Sequence, residues 1–155
     1  LENDGSVKVD EYLQAHQDFY AAGDIASFPY RGKYVRIEHW RVAEQQGRVA
    51  GFNMAGKKNK FLKQPFFWTQ QAGLNLRYVG HTEKWDDTYT KGDITSKEFI
   101  VFLSSNGNVQ AVIGNNKDTE MDAVEFLMLN NKMPTMQELK ESTIDLIKLV
   151  NNLSP

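Results

Sequence analysis

Apolar residues recur at two different periods along this chain, and the changes of period divide it into elements. Between Leu1 and Leu13, Val7, Val9 and Tyr12 alternate loosely with polar residues around Gly5 and Asp10, which predicts a short pair of strands joined by turns. The compact run Phe19-Tyr20-Ala21-Ala22 is closed by Gly23-Asp24, as expected of a buried strand whose carboxyl end opens a loop. From Glu38 to about Met54 the spacing changes to three and four residues. Val42, Ala43, Gln46, Val49, Ala50 and Met54 then share one face, which predicts a helix. The polar, basic segment Gly56-Lys57-Lys58-Asn59-Lys60 stops that helix and marks a domain boundary, giving expected units of residues 1–60 and 61–155.

Beyond the boundary, Leu74, Leu76, Tyr78 and Gly80 alternate with polar positions. The run Glu98 to Leu103 faces the run Val109 to Ile113 across Ser104-Ser105-Asn106-Gly107-Asn108, a hairpin signal with Asn106-Gly107 at its tip. Two amphipathic helices are expected next, one over roughly Thr119 to Asn130 and one from Met136 to Leu153. Thr135-x-x-Glu138 has the form of a capping box, with Pro134 ending the segment before it. Strands followed by helices predict an α+β fold, an antiparallel sheet with helices packed on it.

Composition narrows the function classes. With 155 residues, 41% hydrophobic and 25% charged, the chain can bury a core and carries no signature of disorder. Its 18 basic and 20 acidic side chains give a formal charge of −2, so no basic face for nucleic acid or an anionic membrane is expected. The absence of cysteine excludes disulfides, thiolate metal sites and a redox dithiol within this stretch, and it permits an intracellular setting. No apolar run approaches the roughly 18 to 20 residues that span a bilayer. The start Leu1-Glu2-Asn3-Asp4 does not read as a signal peptide, and the lack of an initiator methionine is what a fragment would show. His16, His39 and His81 lack metal-ligand spacing, and no nucleophile with a neighbouring base is visible, which disfavours a hydrolase.

Three short segments could carry chemistry. In Tyr20-Ala21-Ala22-Gly23-Asp24-Ile25-Ala26, small residues let the backbone approach a ligand, and the aspartate can accept hydrogen bonds from sugar hydroxyls. A buried strand with an Asx turn accounts for the same residues equally well. Glu38-His39-Trp40 opens the predicted helix, where unpaired amides and an exposed ring could meet an electron-rich ligand. A charged, aromatic first turn is also ordinary. The cluster Phe66-Phe67-Trp68 reads as core more readily than as the wall of a cofactor site.

Taken in order, these segments resemble one family. Tyr-Ala-Ala-Gly-Asp at 20–24, then Glu38-His39-Trp40-x-x-Ala43-x-x-Gln46-Gly47-Arg48-Val49-Ala50-Gly51-x-Asn53-Met54, then Phe67-Trp68-Thr69, is similar to the end of apoptosis-inducing factor-like FAD-dependent pyridine nucleotide oxidoreductases and ferredoxin reductases. Leu76-Arg77-Tyr78-Val79-Gly80-His81 and Trp85-Asp86-Asp87 resemble the apoptosis-inducing factor-like branch, whose members often carry a Rieske iron–sulfur domain. The resemblance implies that residues 1–60 are the last strand and helix of a Rossmann-like FAD-binding domain, and that 61–155 form a reductase carboxyl-terminal domain. It places Asp24 on the ribityl chain of FAD, the amide of Ile25 toward the pyrophosphate, His39 beside the flavin ring and Glu38 on the nicotinamide of NAD(P)H. Trp68 would flank the flavin. Trp40 departs from the His-His pair of apoptosis-inducing factor, which leaves its backbone rather than its side chain as the expected contact.

The resemblance further implies electron transfer from NAD(P)H through FAD to an iron–sulfur or other acceptor, in a cytoplasmic or mitochondrial protein. An alternative role for the α+β module is homodimerisation or partner docking. The Gly-x-Gly-x-x-Gly turns that hold FAD and NAD pyrophosphates do not occur in these residues, so the chain alone is expected to bind FAD poorly and to be inactive.

Overall fold

A computed structural model describes residues 1–153 and divides the chain into two compact units, Leu1–Lys63 and Gln64 onward. In the first unit the strands are short: β1 (Val7–Lys8), β2 (Gln14–His16), β3 (Phe19–Tyr20), β4 (Ala26–Tyr30) and β5 (Lys33–Arg36). β4 lies between β1, which runs parallel to it, and β5, which runs antiparallel, while β2 and β3 form a separate hairpin. A single turn of 3₁₀ helix, Gly23–Ile25, leads into β4, and α1 (Trp40–Met54) follows β5. Val9, Leu13, Phe28 and Val42 anchor the core, where Phe28 meets Phe61 edge-on with ring centroids 5.4 Å apart.

Three expectations for this unit are corrected. Between residues 1 and 13 only Val7–Lys8 forms a strand, and its partner is β4 rather than a neighbour in sequence. The Asp4 carboxylate accepts from the Ser6 amide and hydroxyl, and that of Asp10 accepts from the amides of Tyr12 and Gln14, so local side chains take the bonds a strand ladder would use. The run 19–24 is not one buried strand: Phe19 is exposed, pairing ends at Tyr20, and Gly23 at φ +78° starts the 3₁₀ turn. The buried strand is β4. On α1 the inward face is Val42, Gln46, Ala50 and Asn53, and Met54 points to solvent because it lies a further 100° round the helix.

The second unit is built on an antiparallel sheet of five strands in the order β6 (Phe66–Gln71), β7 (Leu74–Gly80), β10 (Asn108–Asn115), β9 (Glu98–Ser105), β8 (Asp87–Asp93). Its register sets Phe66, Val79, Val112, Phe102 and Tyr89 directly opposite one another, an apolar row that crosses every strand. Met121, Val124 and Leu127 of α2 (Asp118–Leu129) share one core with that row. Gly114 of β10 is the seat for Met121, since a Cβ there would overlap its side chain. The fold is therefore α+β, with helices packed on an antiparallel sheet.

The hairpin is as its turn residues predict. Asn106 and Gly107 both have positive φ and close the two longest strands, a conformation asparagine and glycine adopt at low cost. The Gly107 carbonyl accepts the Met136 amide at 2.9 Å, which fixes the start of α3 (Met136–Glu141) against the hairpin tip. Thr135 and Glu138 form the capping box reciprocally. The expected single helix 136–153 is corrected to two, α3 and α4 (Leu146–Leu153). At Ser142 the backbone turns extended and the hydroxyl donates back to the Glu138 carbonyl at 2.6 Å; the Asp145 carboxylate then accepts from the amides of Ile147 and Lys148, as a residue before a new helix does.

Candidate functional site

Asp24 occupies the middle of the 3₁₀ turn, and each end of its neighbourhood is held by a distant side chain. The Gly23 amide donates to Oε1 of Gln46 at 2.7 Å, and the Asp24 carbonyl accepts from Nε of Arg36 at 2.6 Å. An added Cβ at Gly23 would stand 3.3 Å from the Ala43 Cβ, so the turn rests closely on α1. The Asp24 side chain is exposed, and among the described residues its carboxylate takes no hydrogen bond from the protein. It is therefore free to accept from hydroxyl groups of a ligand.

His39 is the residue before α1, and its Nδ1 accepts the Arg41 amide at 3.2 Å. That bond uses Nδ1 as an acceptor and leaves the proton on Nε2, pointing to the neutral imidazole. Partial burial holds the His39 pKa below its ordinary value, the Arg41 charge adds to this, and the nearby Asp24 charge opposes it. Asp24 and His39 thus lie within electrostatic reach of each other. Glu38 pairs with Nη2 of Arg36 at 2.8 Å. Trp40 is 59% exposed, with its ring centroid 5.9 Å from that of His39. Ile25 is also exposed, at the end of the turn.

The first unit therefore gathers Asp24, Ile25, Glu38, His39 and Trp40, with Arg36 and Gln46 as the connecting residues. Arg36 belongs to no motif, and Gln46 enters the resemblance only as one position of the helix motif. A faint signal existed for both: Gln46 is a polar residue on the apolar face of α1, and Arg36 sits two positions before Glu38. In the second unit Trp68 lies on β6, 40% exposed and next to the buried Phe66 at 6.0 Å between ring centroids. Phe67, on the opposite face of β6, stacks on Tyr78 with centroids 4.8 Å apart. Phe66 is thus core and Trp68 is surface, which resolves a triplet the sequence left ambiguous.

Within the first unit the arrangement offers acceptor carboxylates, a neutral imidazole and the exposed indole of Trp40. It suits the binding and orientation of a flat ligand with hydroxyl groups. Among the described residues no cluster of three or more histidine, aspartate or glutamate side chains could hold a metal ion, and no helix is long and apolar enough to cross a membrane.

Comparison with known proteins gives a consistent picture. The family described as "Reductase C-terminal" matches residues 66–150. Apoptosis-inducing factor 3 of Homo sapiens is 31% identical over 144 residues, which cover 90% of this chain and 24% of that protein. The ferredoxin–NAD(+) reductase component of the anthranilate 1,2-dioxygenase system of Burkholderia cepacia is 31% identical over 150 residues, covering 94% of this chain and 37% of the relative. Among solved structures, the covalent putidaredoxin reductase–putidaredoxin complex superimposes with a TM-score of 0.80 at 24% identity, over 95% of this chain and 36% of that one, a likeness of fold. The chain thus spans between a quarter and two fifths of the length of these proteins.

Proposed function

Because the chain belongs to the reductase C-terminal family, we propose that it is the carboxyl-terminal part of an FAD-dependent NAD(P)H oxidoreductase that delivers electrons to an iron–sulfur protein. The observation that carries this reading is the exposed, unengaged Asp24 carboxylate on a turn fastened from both sides, with Glu38 and His39 beside it. The name of the relative from Burkholderia cepacia, a ferredoxin–NAD(+) reductase component, supports the class of activity and the class of acceptor.

When bound, FAD supplies the chemistry that links a two-electron nicotinamide donor to a one-electron acceptor. The chain's own residues bind and orient. Asp24 would accept from ribityl hydroxyls, and the Ile25 amide would lie on the pyrophosphate side. His39, its pKa lowered by burial and its Nδ1 accepting from the Arg41 amide, would stand at the flavin edge without adding a positive charge. Glu38 would accept from the carboxamide of the nicotinamide. Trp68 would flank the flavin in the full-length protein, and Trp40 would contribute backbone.

The chain supplies one edge of the cofactor site, so the 155-residue polypeptide alone should bind FAD weakly and show no NAD(P)H oxidation. Flavin fluorescence titration checks this, and binding in the micromolar range would contradict it. The full-length protein should purify with FAD and reduce an iron–sulfur acceptor with NADH or NADPH. Asp24→Ala should then lose flavin while keeping its fold. An intracellular setting, cytoplasmic or mitochondrial, and a Rieske-type acceptor domain accord with this reading, as does a homodimer formed through the second unit. Sedimentation of the full-length protein decides the last.

A further inference from the structure

The turn that carries Asp24 has almost no means of holding itself. It is three residues long and closes one bond of its own, from the Ala26 amide to the Gly23 carbonyl. A single 3₁₀ turn fixes more dihedral angles than its hydrogen bond offsets. Its position is set by side chains that come from far along the sequence, and they grip opposite ends.

On the inner side is Gln46, fully buried on a helix face it shares with Val42 and Ala50. Its Oε1 accepts the Gly23 amide at 2.7 Å, while its Nε2 is buried with no hydrogen-bond partner in the protein. A leucine of similar volume would fill this place without burying the unpartnered Nε2 donor, so packing does not account for a carboxamide here. The bond to Gly23 does. On the outer side is Arg36, whose Nε donates to the Asp24 carbonyl at 2.6 Å. The same guanidinium reaches Glu38 through Nη2 at 2.8 Å and Asp4 through Nη1, at 3.3 Å to the carbonyl and 3.7 Å to the carboxylate. One planar group with five donors therefore joins the turn bearing Asp24 to the carboxylate of Glu38, a geometry that an ammonium cannot reproduce.

We infer that Gln46 and Arg36 are positioning residues, Gln46 for the flavin-holding turn alone and Arg36 for that turn and the nicotinamide-holding Glu38 together. The inference rests on the flavoenzyme reading. Neither residue takes part in electron transfer; each acts through Asp24 or Glu38. The two differ in reach, and that difference is measurable.

The test uses the full-length flavoprotein with Gln46→Leu, Gln46→Glu and Arg36→Lys, reading FAD dissociation by fluorescence, apoprotein melting temperature, and KM for NADH and NADPH at saturating FAD. Gln46→Leu should weaken FAD binding by roughly tenfold, the loss expected for one buried hydrogen bond, with KM unchanged and the apoprotein still folded at a modestly lower melting temperature. Gln46→Glu, protonated in its buried site, keeps an acceptor for the Gly23 amide and should restore the affinity. Arg36→Lys should weaken FAD binding and raise KM together. Wild-type FAD affinity in Gln46→Leu would overturn the inference, as would a loss that tracks apoprotein melting and is not rescued by glutamate. A KM left unchanged in Arg36→Lys would overturn its second half. If Gln46→Leu fails to fold, the partly exposed Arg36→Lys still reports on the turn. A wild-type protein that binds no FAD refutes the flavoenzyme reading itself, a separate outcome.

Discussion

In the second unit the strands run seven or eight residues through most of the sheet, and a single apolar row crosses all five of them. In the first unit no strand exceeds five residues, and the backbone is fastened by polar side chains instead: Asp4, Asp10, Arg36, Gln46 and Asn53 each bond to main-chain groups. The same backbone requirement is met by a ladder in one unit and by individual side chains in the other. A ladder shares its load among many bonds. A side-chain anchor does not, so single polar residues matter more in the unit that carries Asp24 and His39.

The contrast can be broken at its strongest point by Phe102→Ala, which removes the largest fully buried side chain of the apolar row. We expect a loss of about 3–5 kcal/mol in chemical denaturation of the second unit; a loss below about 1 kcal/mol would mean that the row does not hold the sheet. Next, Asn53→Ala in the first unit removes bonds to the Tyr12 carbonyl and to both the carbonyl and amide of Asn59, at 2.7, 2.8 and 2.7 Å. It should cost about 1–3 kcal/mol and raise hydrogen exchange around residues 12 and 59. Gly80→Ala should cost a similar amount, about 1–3 kcal/mol, because Gly80 has φ +91° and a Cβ would press into the Gln110 carbonyl oxygen.

Acid sharpens the comparison more gently. His39 in the first unit and His81 in the second both have pKa values lowered below 6.5, chiefly by burial. Unfolded chains then bind protons that the folded units do not, so each histidine's contribution is full above pH 6.5 and falls as the pH drops below it. Denaturation midpoints measured from neutral pH into the acid range should fall, and His81→Gln should flatten the slope of the second unit. The smallest effect is expected of Ser104→Ala. The Ser104 hydroxyl is buried in the sheet without a hydrogen-bond partner, so its removal should change stability by less than about 0.5 kcal/mol. The pairing of a costly Asn53→Ala with a neutral Ser104→Ala would state the difference between the units in two measurements.

The same difference explains what the sequence discloses. The hairpin at Asn106-Gly107, α2 and the capping box at Thr135 are readable because they obey local rules of turn chemistry, helical spacing and end capping. β8 escapes notice because its inward residues, Tyr89 and Lys91, alternate with threonines and give weak contrast in polarity. The break between α3 and α4 is concealed because Leu139, Leu146, Ile147 and Val150 keep a helical period across it, while Ser142 and Asp145 redirect the backbone through hydrogen bonds that no periodicity records. In the first unit the parallel pairing of β1 with β4 joins residues 19 positions apart, such as Val7 and Ala26, and leaves no local trace. Resemblance singled out Asp24, Glu38 and His39 as candidates. It did not mark Arg36, and it carried Gln46 only as part of the helix motif, since the bonds of both become visible only when Gly23, Asp24 and Glu38 are seen beside them in space.

The bond from the Met136 amide to the Gly107 carbonyl bears on the order in which this chain takes shape during synthesis. The second strand of the hairpin ends at Asn115, about twenty residues ahead of that amide, and a tight turn between adjacent strands forms within microseconds, whereas translation adds about 5–20 residues each second. The strand pair that offers the acceptor is thus synthesised, and able to sample its turn, before the helix that docks on it has been made.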